Sequence, residues 1–174
     1  MSKTSPSLIA VAALFLSACT TAGHGGHSPY AGFERREIKA LSAEQMRQLD
    51  TGAGMALAQP AELNGWPGPM HVLEHADALA LTAPQRDATQ ALMRTRKQRA
   101  VLLGRDVIAA EKALDAAFAQ RQVNDTTLRQ LTAAAAERMA ALRAEHLATH
   151  IAQTRLMEPT QVALYQQLRG YTTP

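Results

Sequence analysis

From Gln85 to Arg121 the chain contains no proline and a single glycine, Gly104. Leu103, Val107, Ala110, Leu114 and Phe118 recur there at steps of four and three. That spacing lines up along one face of an α-helix and does not alternate across a strand. Begun at Ala83 and carried to Arg121, such a helix is roughly 58 Å long at about 1.5 Å per residue. Asn124-Asp125 then offers a turn and a fresh N-cap. A second periodic segment runs from Asp125 to Leu156, striped by Leu128, Leu131, Ala135, Met139, Leu142 and His146. A short loop between two long helices folds them back antiparallel. No stretch alternates with period two. The expectation is an all-α fold, a long antiparallel helical hairpin with shorter flanking helices.

The shorter pieces are set by their caps and breakers. Ser42 with Gln45 forms a capping box, and the helix it starts should run to Thr51, where Gly52 and Gly54 interrupt. A helical piece is expected over Met55 to Leu63, limited by Pro60. Asn64-Gly65-Trp66-Pro67-Gly68-Pro69 is the densest cluster of breakers and must turn, with Trp66 packing the turn down. Met70 to Ala80 reads as helix. Thr82 caps the long helix, with Pro84 harmless in its first turn and Gln85 closing the box. Pro159 breaks the second long helix, and a last helix should run to Arg169 and stop at Gly170.

The start of the chain speaks to its compartment. Lys3 and a nine-residue apolar run, Leu8 to Leu16, read as a secretory signal peptide. The run is far short of the roughly 20 residues a membrane-spanning helix needs. Leu16-Ser17-Ala18-Cys19 resembles a bacterial lipobox, which implies removal of residues 1–18 and a lipid on Cys19, the only cysteine. By the same resemblance, Thr20 after the cysteine implies the outer membrane, on its periplasmic face. Residues 19–34 are then the lipidated cysteine and a flexible tether, in which His24 and His27 are solvated. Residues 35–171 form one helical domain. Without Lys3 the mature chain has 17 Lys/Arg against 15 Asp/Glu, a net of +2, which makes no case for nucleic acid. Few aromatics and many alanines suit helices packed closely side by side. With Cys19 lipidated no internal disulfide can form.

Four histidines come in two pairs spaced i, i+4: His71 with His75, and His146 with His150. That spacing puts two imidazoles on one helix face, within reach of one ion. Glu74 can join the first pair. If the chain reverses near Val123 and again near Thr82, His150 falls level with Arg96, His146 with Ala100 and His71 with Met93. The pairs then lie within about one helical turn of each other. The expected metal site is His71, Glu74, His146 and His150, with His75 in reserve. Zn²⁺, Ni²⁺, Co²⁺ and Cu²⁺ suit imidazole with carboxylate, and Met70 or Met93 could add a soft donor for copper. His71–His75 also spells His-x-x-Glu-His, but a chain that spends itself on a helical hairpin lacks the larger fold an inverzincin protease needs. Arg94, Arg96, Lys97 and Arg99, extended by Arg105, form a basic surface for client proteins or anionic headgroups. Nucleophile elbows and phosphate loops are absent, so no enzyme is expected.

Leu81-Thr82-Ala83-Pro84-Gln85 matches the Leu-Thr-x-x-Gln motif of the Spy/CpxP/ZraP family of periplasmic proteins. The family carries two copies, and Met157-Glu158-Pro159-Thr160-Gln161 stands in the second place, keeping the glutamine. The stretch AELNGWPGPMHVLEHAD also resembles a lipoprotein branch of periplasmic heavy-metal sensors. The resemblance extends over Tyr30 to Tyr171 and implies a Spy/CpxP-like helical hairpin, packed as a homodimer. It implies a non-enzymatic envelope-stress protein, chaperone-like without ATP and metal-responsive, whose partners are unfolded envelope proteins or a sensor kinase. The alternative it implies is a ZraP- or CnrX-like sensor or buffer of transition metals, using the paired histidines.

Overall fold

The structure is a computed structural model in which residues 28–172 are described. The leader, the lipobox and most of the tether lie outside the described residues. Ser28–Ala31 form a turn, in which Ala31 N–H donates to Ser28 O at 2.8 Å. From Gly32 onward the chain is one compact unit. It holds six α-helices and no strand among the described residues: α1 Ala43–Thr51, α2 Gln59–Glu62, α3 Pro69–Glu74, α4 Ala83–Ala119, α5 Asp125–Arg155 and α6 Pro159–Leu168. A 3₁₀ turn, Phe33–Arg35, precedes them. No helix among the described residues is long and apolar enough to cross a membrane.

The expected caps form. Ser42 Oγ accepts from Gln45 N–H at 3.1 Å and Thr82 Oγ1 from Gln85 N–H at 3.3 Å. Asn124 Oδ1 takes the N–H groups of Thr126 and Thr127. Two expected helices are shorter than their sequence suggests. Met55 and Ala56 take left-handed φ, so the helix expected from Met55 shrinks to α2. The helix expected to reach Ala80 stops at Glu74; the chain then turns, with Ala80 at φ 48°.

α4 and α5 run alongside one another in opposite directions. Arg99 faces Glu145, Arg96 faces His146, Thr89 faces Gln153 and Gln85 faces Leu156. Arg96 thus meets His146 and not His150 as the sequence suggested, a shift of one turn. α4 ends at Ala119 and Arg121 is left-handed, so the reversal comes about two residues early. Each residue of difference counts twice in the pairing.

Two apolar clusters form the core. Ile38, Leu41, Leu49, Ala100, Val107 and Leu142 make the first, where α1 lies on α4. Val72, Ala76, Leu79, Leu81, Met157 and Tyr165 make the second. Along α5 the buried positions run Leu142, His146, Thr149 and Gln153, with Met157 following at the start of the next turn. The helical spacing continues unbroken, but its middle is polar. That polar layer, between two apolar ones, is where the sequence departs from a plain packing seam.

Beyond the second cluster, the starts of α4 and α6 are clasped together. Gln85 and Gln161 exchange side-chain hydrogen bonds at 2.9 and 3.2 Å. Gln85 Nε2 also donates to Leu156 O, and Gln161 Nε2 to Leu79 O. Each Oε1 accepts from its own N-cap N–H, at Thr82 and Glu158. Both amides are thus used in full, including on a carbonyl that the end of α5 leaves open. Truncating either glutamine to alanine is expected to cost about 1–3 kcal/mol, because it strands partly buried partners. The double variant should lose less than the two single losses together, read from urea unfolding. Additive losses would mean the two side chains act independently.

Candidate functional site

A cavity of about 240 Å³ opens at the polar layer. That is below the usual range of pockets that take drug-sized ligands. His71, His146 and His150 all line it, from α3 and α5. Met70, Met93, Arg96 and Glu62 complete the chemically notable part of its wall. The turn Trp66-Pro67-Gly68 brings α3 across α5. His150 lies so close to Gly68 that a Cβ there would sit 2.8 Å from His150 Cε1 and 3.1 Å from Nε2. Only glycine leaves room beside that edge of the ring.

The three imidazoles fall into two tautomeric states, set by what their Nδ1 atoms touch. His150 Nδ1 lies 2.8 Å from Trp66 O. A carbonyl only accepts, so Nδ1 carries the proton and the lone pair of the neutral ring is on Nε2. His71 Nδ1 lies 2.8 Å from Glu74 Oε2, which imposes the same tautomer. That hydrogen bond holds the Glu74 carboxyl below the usual carboxylate range. His146 is the opposite case. Arg96 donates to its Nδ1 at 3.2 Å, and arginine has no acceptor, so the His146 proton sits on Nε2. That Nε2 is buried without a hydrogen-bond partner. His146 is 3% exposed. Its burial, then the neighbouring Arg96 charge and then His150, push its pKa down to about 4. It is therefore neutral at pH 7.

The sequence-derived site residues are thus partly assembled. His71, His146 and His150 share the cavity, whereas Glu74 lies on the exposed side of α3 as the orienting partner of His71. His75 falls at the end of α3 and does not line the cavity. Among the described residues, no three His, Cys, Asp or Glu side chains are placed to hold one ion. Of the basic set, Arg94, Lys97 and Arg99 are exposed. Arg96 is half-buried and turned inward, also donating to Gly52 O at 3.3 Å, and its burial lowers its pKa.

Glu62 is the residue sequence reasoning missed. Its Oε1 accepts from Tyr165 OH at 2.6 Å, Arg169 Nε at 3.2 Å and Tyr171 OH at 3.2 Å. Its Oε2 is buried without a hydrogen bond, 3.7 Å from His150 Nδ1. Those contacts bind α2 to α6 and the residues after it, and they raise the Tyr165 hydroxyl pKa through burial and the carboxylate's hydrogen bond. One acidic residue ahead of a turn carries no signal of this. Only the partners, about a hundred positions later, reveal it.

No protein-family model, no curated protein and no solved structure matches this chain.

Proposed function

We propose that this chain is a non-enzymatic transition-metal-binding protein, a sensor or buffer, with His71 and His150 as its principal ligands. The observation that carries the proposal is the matched state of these two rings. Each has Nδ1–H fixed on an oxygen and its lone pair on Nε2, and both line one cavity. Metal-ligating histidines are held in this way, with an outer carboxylate or carbonyl fixing the tautomer. Glu74 and the Trp66 carbonyl fill that outer role, and His146, kept neutral by burial, adds no charge to repel a cation.

The lipobox-like leader supports a lipid anchor at the periplasmic face of the outer membrane. The Leu-Thr-x-x-Gln start of α4 and the two long opposed helices support a Spy/CpxP/ZraP-like hairpin, and with it a homodimer.

The chaperone-like role of that family is the second reading, and exposed apolar side chains favour it. Leu102 is 62% and Phe118 57% exposed, on the helix that also exposes Arg94, Lys97 and Arg99. Apolar surface near positive charge suits unfolded, acidic envelope proteins.

The two readings separate on calorimetric titration of Zn²⁺, Ni²⁺ and Cu²⁺ into the metal-stripped chain. Micromolar or tighter binding is expected, weakened at least about a hundredfold in a His71→Ala/His150→Ala double variant. Binding unchanged in that variant rules out the site and leaves client binding as the function to test.

A further inference from the structure

The cavity's donors point beyond a generic divalent site. We propose that it takes a soft monovalent ion, copper(I), held by Nε2 of His71 and His150 and by the thioether sulfurs of Met70 and Met93. This rests on the metal-binding reading above and narrows it to one ion.

Met46, Met55 and Met139 pack on the first apolar cluster, and Met157 belongs to the second. Met70 and Met93 belong to neither cluster, and both line the cavity. Met70 is about half exposed, next to His71 in the chain, where an apolar side chain gains less from burial than in a core. A thioether is uncharged and needs no proton removed before it binds. Soft sulfur donors of this kind select copper(I) over divalent zinc or nickel.

Zinc in proteins takes four ligands, usually three or four of them from His, Cys, Asp and Glu. The described residues place no three such side chains around one point. The Nδ1 of His146 is occupied by Arg96, and its Nε2 holds a proton. Copper(I) carries a single charge and is softer than zinc(II), so a few uncharged imidazole and thioether donors satisfy it.

The Arg96 guanidinium forms part of the same wall and is always protonated. Its repulsion scales with the charge of the ion, so it penalises a divalent cation about twice as much as a monovalent one. Glu62 offsets part of this, but its Oε1 is already shared among Tyr165, Arg169 and Tyr171.

The test uses the full chain carrying Cys19→Ser, so that no thiol competes. Copper(I) is supplied anaerobically under reductant and its affinity read by competition with a chromophoric copper(I) chelator. Zinc is titrated in parallel by calorimetry. The comparison is with a Met70→Leu/Met93→Leu double variant, a nearly volume-conserving change that spares the fold, and with His71→Ala/His150→Ala. Copper(I) is expected to bind at least about a hundredfold tighter than zinc, and the methionine variant to lose about tenfold or more for copper(I) with zinc unchanged. The X-ray absorption spectrum of the copper-loaded protein should show sulfur in its first shell. Copper(I) affinity untouched in the methionine variant, or a first shell without sulfur, overturns the copper assignment. If zinc or nickel then still binds through the histidines, the metal-binding reading survives that failure. If no ion responds to the histidine variant, both fall.

Discussion

Gly104→Ala is expected to destabilise the protein by about 2 kcal/mol or more, and Gly104→Val further still. Alanine normally strengthens a helix interior by about 1 kcal/mol over glycine. Here that gain is outweighed. Gly104 lies inside a 37-residue helix, and a Cβ on it would run into the carbonyl oxygen, carbonyl carbon and Cα of Leu49. These are backbone atoms of α1, which no rotamer change can move aside. α1 would have to lift from α4, opening the cluster of Ile38, Leu41, Leu49, Ala100, Val107 and Leu142. Gly54 is the matched control. A Cβ there meets nothing within 4 Å, so Gly54→Ala should be neutral or slightly stabilising. Thermal unfolding reads the difference, with Gly104→Ala lowering the midpoint by roughly 4 °C or more. A Gly104→Ala protein as stable as the parent would mean that α1 does not cross α4 at this glycine.

The second large effect is acid lability centred on His146. In the fold its pKa is pushed down to about 4, against an ordinary value of 6.5. The unfolded chain therefore binds a proton below about pH 6.5 that the folded chain does not accept until about pH 4. Stability is full above that window and falls as pH drops through it. Between pH 7 and pH 5 the loss is about 2 kcal/mol. Burial of the ring, then Arg96 from α4 and His150 from α5, oppose its protonation. Urea midpoints at the two pH values should differ clearly in the parent chain. In His146→Asn, which cannot titrate, most of that difference should vanish. An equal pH dependence in both would show that His146 takes up its proton freely in the folded state.

Why some of this was readable in the sequence follows from where the forces act. The all-α class and the extents of α4 and α5 come from local periodicity and the scarcity of proline and glycine, and local rules govern both. Ser42, Thr82 and Asn124 begin helices where their side chains promise it. The segments around Met55 and Ala80 were harder. Their non-glycine residues adopt left-handed φ, against their own preference. The convergence of His71, His146 and His150 was legible because two chain reversals fix it to within a turn. The tautomers were not, since they depend on Arg96, Glu74 and the Trp66 carbonyl. Nor was the clasp between Gln85 and Gln161, although Gln85 was visible as half of a capping box and Gln161 as the glutamine kept in the second motif place. One amide serves both its own helix and the other.

On the proposed function, His71 and His150 hold a metal through Nε2 while His146 does not. Long-range ¹H–¹⁵N spectra of the histidine rings, taken on the metal-free chain and after adding zinc or copper(I), read it directly. The free protein should show Nδ1–H for His71 and His150 and Nε2–H for His146. Metal should then shift Nε2 of the first two, with His146 keeping its Nε2 proton. A metal-induced shift at His146 or His75 in their place, or no change in any ring, would contradict the account.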